Sequence, residues 1–155
     1  MTSLPPPAAP CPADAPQAAP GVVIDTQVVM DWLVFDDARA RPLAQAVLSG
    51  QVCWLATAAM QQELHHVLGR GVAAAYGPDL AHIDAHFARY AQDCPPAAPS
   101  PRLVCRDPDD QKFIDLALEQ GARWLISRDK AVLALAKRAR ARGLAVLKPE
   151  QWVLA

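Results

Sequence analysis

Several features that would place this chain in a familiar class are missing from it. No apolar run approaches the roughly 20 residues that a membrane-spanning helix needs. The N-terminus has neither a basic start nor an unbroken apolar segment, so no secretory signal is expected. The four cysteines, Cys11, Cys53, Cys94 and Cys105, show no CxxC pair and no zinc-type spacing. Without an export signal they are expected to be reduced thiols of a cytoplasmic protein. "GVVIDT" offers no GxGxxG, which speaks against dinucleotide binding. His82 and His86 have the i, i+4 spacing of a helical metal pair, but Ile83 stands where a metalloprotease motif needs Glu. They are read as surface residues. No internal repeat is present.

What the chain does have fits one soluble globular domain: 155 residues, 52% hydrophobic and 20% charged. Residues 1–20 differ from the rest. Pro5, Pro6, Pro7, Pro10, Pro12, Pro16 and Pro20 interrupt an Ala-rich stretch without hydrophobic periodicity, which predicts a disordered, partly polyproline tail. The folded unit is expected over residues 21–155. A net charge of −1 conceals a basic C-terminal third containing Arg123, Arg128, Lys130, Lys137, Arg138, Arg140, Arg142 and Lys148. Such a run is either a solvated helix face or a surface turned toward a polyanion, with Arg128, Lys130 and Arg138 the candidate contacts.

The elements alternate. "GVVID" predicts a short strand, "VVMDWLVFDD" an apolar helix or turn, and "ARPLAQAVLSG" a helix closed by Gly50. "QVCWLA" predicts the second strand, and Thr57 can cap the helix "AAMQQELHHVLGR". Helical pieces run through "LAHIDAHFARYAQ" after a break at Gly77-Pro78, and the Pro-rich loop "CPPAAPSP" leads to a predicted strand "RLVC". A helix beginning at "RDPDDQKFIDLA", the strand "ARWLIS", the helix "KAVLALAKRARARG" and the strand "LAVLK" complete the chain. Strands alternating with helices imply a parallel sheet with helices on both faces. The tryptophans are assigned to core and edges.

Within "RDPDDQKFIDLA", acids are ordinary, because Asp107 can cap the first turn and negative charge suits a helix N-terminus. Asp110 is not ordinary. Its helical neighbours are Phe113, Ile114 and Ala117, whereas Gln111, Lys112, Asp115 and Glu119 are expected on the solvent face. Topology gathers further carboxylates. Asp25 ends the first strand, Asp129 lies just past "WLIS", and Glu63 sits in the second turn of the helix after "QVCWLA". In a parallel sheet these positions share the carboxyl edge, where open α/β sheets place their sites. Four carboxylates together would raise one another's pKa values. Hard divalent cations such as Mg²⁺ or Mn²⁺ would relieve the repulsion. Metal held on such a rim suits phosphodiester hydrolysis.

At these residues the chain resembles a known family. "VVIDTQVV", "ELHHVLGR", "RDPDDQKFIDLALEQGARWLISRDKAVLAL" and "VLKPEQWV" resemble a PIN domain over about residues 22 to 153. The likeness is to the VapC-like group described as toxin components of bacterial type II toxin–antitoxin pairs. It implies a three-layer α/β/α sandwich with a central parallel sheet, often dimeric, and a cytoplasmic endoribonuclease hydrolysing RNA phosphodiester bonds with Mg²⁺ or Mn²⁺. Position by position, Asp25, Glu63, Asp110 and Asp129 match the family's metal-binding, catalytic acids, and Ser127 matches a small hydroxyl residue beside the last of them. The implied partners are RNA, an antitoxin protein and a second copy of the chain. RNA contacts would then fall to Arg128, Lys130 and Arg138. One position departs: where the family commonly has Asn, this chain has Gln27, and Thr26 beside it can orient Asp25.

Two other classes compete. A catalytically weak PIN scaffold binding RNA or protein would account for Gln27. A phospho-receiver domain would share the strand-end Asp and a late Lys-Pro, here Lys148-Pro149, but needs an acidic pair where "IDTQ" has one acid.

Overall fold

The computed structural model describes residues 19–99 and 103–154, so the expected tail lies outside the described residues except for Ala19 and Pro20. At the centre runs β1 (Gly21–Ile24), with Val22, Val23 and Ile24 all buried. A strand hidden on both faces has no use for polar alternation, which is why GVVI is an unbroken apolar run. β2 (Cys53–Thr57) and β4 (Trp124–Ile126) flank it, and β3 (Ala91–Cys94) and β5 (Ala145–Leu147) form the edges. The order is β3-β2-β1-β4-β5, with every neighbouring pair parallel. A Cβ on Gly21 would lie 2.8 Å from Leu55 Cδ1, so the Leu55 side chain occupies the space that a larger residue at 21 would need.

Seven α-helices accompany the sheet among the described residues: α1 (Thr26–Leu33), α2 (Arg41–Leu48), α3 (Ala58–Gly69), α4 (Leu80–Tyr90), α5 (Gln111–Glu119), α6 (Lys130–Leu133) and α7 (Ala136–Arg140). The result is the three-layer α/β/α arrangement. α5 packs on β1 and β4, and α1 on α3. Before α4 the chain turns at Gly77, whose φ of 57° is the left-handed conformation that suits glycine. The C-terminal helix predicted as one piece is two, α6 and α7, divided at Ala134 and Leu135. Trp54, Trp124 and Trp152 are buried, and Trp32 meets Trp54 edge-on at 5.2 Å.

Three further expectations need correction, and one alternative falls. The third strand is β3, not "RLVC": Arg102 lies outside the described residues, and 103–105 form no strand. Leu103 and Cys105 are buried and Val104 exposed, so the segment has the in–out alternation of a strand without its ladder. The Gln111 side chain substitutes for the ladder, accepting from Cys105 N at 2.6 Å and donating to Leu103 O at 2.8 Å. Secondly, the supposed solvent face of α5 is mostly engaged. Gln111 also donates to Asp115, which is buried, and Lys112 pairs with Glu63. Thirdly, Cys53 is disulfide-bonded, whereas Cys94 and Cys105 are free thiols. A disulfide depends on proximity in space, which linear spacing does not report. Finally, a receiver domain has the strand order 2-1-3-4-5; the order here is different, with β1 flanked by β2 and β4.

Candidate metal centre

The carboxyl edge of the sheet gathers acidic side chains for a local reason: several of them cap helices. Asp25 closes β1 and caps α1, its Oδ1 accepting from Gln27 N at 2.8 Å and Val28 N at 3.3 Å. Asp129 follows β4 and caps α6 through Ala131 N at 2.8 Å. Asp107 caps the 3-10 turn Pro108–Asp110 through Asp109 N at 3.0 Å. The helix-capping explanation and the site explanation thus apply to the same residues. A cap uses one carboxylate oxygen, leaving the other for chemistry.

Asp110 has no cap role. It stands where the 3-10 turn passes into α5, and its side chain makes no capping hydrogen bond. Its Oδ2 is buried without a hydrogen-bond partner. Burial, reinforced by Asp129, Asp107 and Asp25 and only partly offset by Lys112, pushes its carboxyl up to about 7. Ligand oxygens of Asp107, Asp110 and Asp129 all lie within 4.8 Å of one another. A donor set made entirely of carboxylate oxygens, one of them buried and unsatisfied, fits a hard divalent cation. The three would hold it.

Asp25 stands beside this trio. Its Oδ2 accepts from Ser127 Oγ, and Ser127 is wholly buried, itself accepting from Asp129 N at 3.0 Å. Burial raises the Asp25 pKa, tempered by the hydrogen bonds from Ser127, Val28 and Gln27, with Asp129 adding to the rise. Ser127 therefore ties Asp25 to the Asp129 backbone. Glu63 is placed differently. One oxygen accepts from Thr26 Oγ1 and the other from Lys112 Nζ at 2.6 Å, and that ammonium also donates to Asp109 O. All these acids line one open cleft of about 550 Å³, together with Thr26, Gln27, Met30, Val67, Phe113 and Arg128.

Gln27 does not turn its amide toward the trio. Its backbone N–H serves Asp25, and its side chain helps lower the pKa of Asp31. Arg128 also turns to Asp31, with Nη2 at 2.7 Å from Oδ1. Lys130 is exposed at the start of α6, and Arg138 lies on the exposed side of α7. His86 donates from Nδ1 to His82 O, 2.9 Å away, and packs edge-on to Trp32. His65 lies against Asp84 at 2.6 Å.

Two participants escape the sequence reading. Asp107 is sufficiently explained there as a cap, yet its carboxylate joins the trio. Lys112 is one residue off the apolar stripe and so reads as solvated, but Glu63 on α3 is within its reach. The spacing Asp107–Asp110, i to i+3 across the first turn, is the available signal for the first. For Lys112 there is none, since its partner comes from another helix.

A family model for the PIN domain matches residues 21–131. That span includes Asp25, Glu63, Asp107, Asp109, Asp110 and Asp129, the acids that line the cleft. No curated protein matches the chain. With a parallel sheet in this order, an all-carboxylate centre at its carboxyl edge and a match over most of its length, the chain belongs to the PIN domain family, a family of metal-dependent nucleases.

Proposed function

We propose that the protein is an endoribonuclease that hydrolyses RNA phosphodiester bonds with Mg²⁺ or Mn²⁺. The observation that carries this reading is the buried, unpartnered Oδ2 of Asp110 in a carboxylate trio open to a cleft. When bound, the cation would activate water and stabilise charge on the phosphoryl oxygens. Asp107, Asp110 and Asp129 would hold it, and Asp25 would complete the negative rim in the position fixed by Ser127 and the first turn of α1. To bind, Asp110 must release its proton. Thr26 and Lys112 hold Glu63, which fixes that carboxylate at the cleft wall. Lys130 and Arg138 supply positive charge on the basic side, where the RNA backbone would run.

The likeness of "RDPDDQKFIDLALEQGARWLISRDK" to toxin components extends the proposal to a cytoplasmic toxin of a type II pair, dimeric and restrained by an antitoxin protein. The test is cleavage of structured and unstructured RNA in Mn²⁺, Mg²⁺ and EDTA. Cleavage with either cation and none in EDTA is the expected result. Binding of RNA without cleavage under every condition would favour the scaffold reading, for which Lys112 clasping Glu63 is the supporting observation. Growth arrest on expression, lost with Asp110→Asn, tests the toxin role.

A further inference from the structure

Beside the acidic cleft lies a second hollow, of about 510 Å³, walled by Asp31, Phe35, Asp37, Val72, Tyr76 and Arg128. The volume falls within the roughly 300–1,000 Å³ usual for small-molecule sites. Arg128 lines both hollows, so they adjoin through one side chain. The apolar side of the hollow is aromatic. Phe35 and Tyr76 meet edge to face with centroids 4.6 Å apart, which holds the Tyr76 ring while Tyr76 stays 62% exposed. Val72 beside it is 63% exposed.

The polar side is an incomplete ion pair. Asp31 is buried, and Arg128 donates from Nη2 to its Oδ1. The pair does not satisfy itself: Asp31 Oδ2 and Arg128 Nε are both buried without partners. Asp31 is closed off, its side chain 3% exposed, whereas Arg128 keeps 29% of its side chain exposed at the wall. Burial raises the Asp31 pKa although Arg128 opposes the rise. A buried ion pair with open valences gains little as a structural cross-link.

An exposed π face and a partly exposed guanidinium in one hollow are the combination that single-stranded nucleic acid uses, with stacking on an aromatic ring and hydrogen bonds at the base edge. We propose that this hollow receives one unstacked base of single-stranded RNA, from a nucleotide next to the phosphate that is cleaved at the acidic cleft. Tyr76 supplies the stacking face, and the exposed part of the Arg128 guanidinium, held by Asp31, donates to the base edge. The proposal rests on the ribonuclease reading and adds a specificity-determining subsite to it. A protein partner would be expected to favour a broader and less charged surface than one walled by Asp31, Asp37 and Arg128.

The experiment measures binding of end-labelled single-stranded RNA heptamers by fluorescence anisotropy, in EDTA to prevent cleavage. Tyr76→Ala should weaken binding about tenfold, within the range of base–aromatic stacking. Tyr76→Phe, which keeps the ring, should stay within about twofold of wild type. Leu48→Ala, at an exposed apolar residue outside both hollows, serves as the control and should bind as wild type does. Moving a single abasic site along the RNA should reproduce the loss at one position in wild type, with no further loss there in Tyr76→Ala. Wild-type affinity in Tyr76→Ala, or equal losses at every abasic position, overturns the subsite while leaving the nuclease reading intact. So does a Tyr76→Ala protein that sediments differently but binds RNA normally, which marks a protein contact instead. A wild-type protein that neither binds RNA nor cleaves it in Mn²⁺ overturns the ribonuclease reading, and the subsite with it.

Discussion

Asp110 carries opposing demands within a single side chain. Packing places it at the head of the apolar stripe of α5, where Phe113, Ile114 and Ala117 are buried, and its Oδ2 has no partner. Its ordinary pKa of 3.8 rises to about 7 in the fold. That rise sets the sign of the stability effect. Below about pH 4 the folded and unfolded chains both carry the proton, and the group contributes no penalty. Between about pH 4 and 7 the unfolded chain binds fewer protons than the folded one, so stability in EDTA falls as pH rises and levels off above about 7. Asp110→Asn removes that slope. In EDTA the variant's advantage in Tm should be absent near pH 4 and greatest at about pH 7 to 8, as read by scanning calorimetry. With millimolar Mn²⁺ the order should reverse, because binding to the native state raises the wild-type Tm by mass action and the amide cannot supply the charge. Cleavage should fall by orders of magnitude. Asp109→Asn, at an exposed neighbour outside the carboxylate trio, should spare both properties. If Asp109→Asn is the variant that loses metal binding, the assignment of this turn is wrong.

At the level of elements, α5 organises the site. In four consecutive residues the start of this helix presents Asp110 to the carboxylate trio, ties down residues 103–105 through Gln111, reaches Glu63 through Lys112 and anchors the core through Phe113. Gln111→Leu should therefore be costly despite its similar size. It leaves the Cys105 N–H and Leu103 C=O without the side chain that satisfies them, and each such loss costs about 1–3 kcal/mol when buried. Urea denaturation should show a decrease of that order with an unchanged m-value. A decrease below about 0.5 kcal/mol would mean that water replaces the glutamine. Sequence reasoning misses this arrangement for an identifiable reason. "RLVC" has the alternation of a strand, and alternation reports which side chains point inward, not which backbone groups pair. The converse holds at Ala91–Cys94. "AQDC" has little intrinsic strand preference, yet pairing with β2 makes it the edge of the sheet.

On the scale of the whole molecule, the charge distribution separates an acidic cleft from a basic C-terminal surface. A nuclease with this layout would bind RNA through phosphates on the basic side, so affinity should fall steeply with salt as counterions are released. Replacing Lys130 and Arg138 together by Ala should reduce the slope of log Kd against log salt by about 0.7 for each phosphate that is no longer neutralised. An unchanged slope would return both residues to the solvated-face reading. Arg128 should behave differently, because its guanidinium is paired with Asp31: Arg128→Ala leaves a buried carboxylate without its cation, so it should lower stability as well as weaken the base subsite, and leave the salt slope unchanged.

The order of most strands and helices, the apolar character of the central strand and the convergence of Asp25, Asp110 and Asp129 on one edge of a parallel sheet were all legible from the chain alone. They follow from local rules: hydrophobic periodicity, caps and the geometry of the βα unit. The inclusion of Asp107 in the carboxylate trio, the pairing of Glu63 with Lys112, the closure of Asp31 on Arg128 and the identity of the third strand were decided only by tertiary structure. The physical reason is common to them. Each depends on how helices and strands pack against one another or on a partner strand's backbone, and no periodicity along one element encodes that.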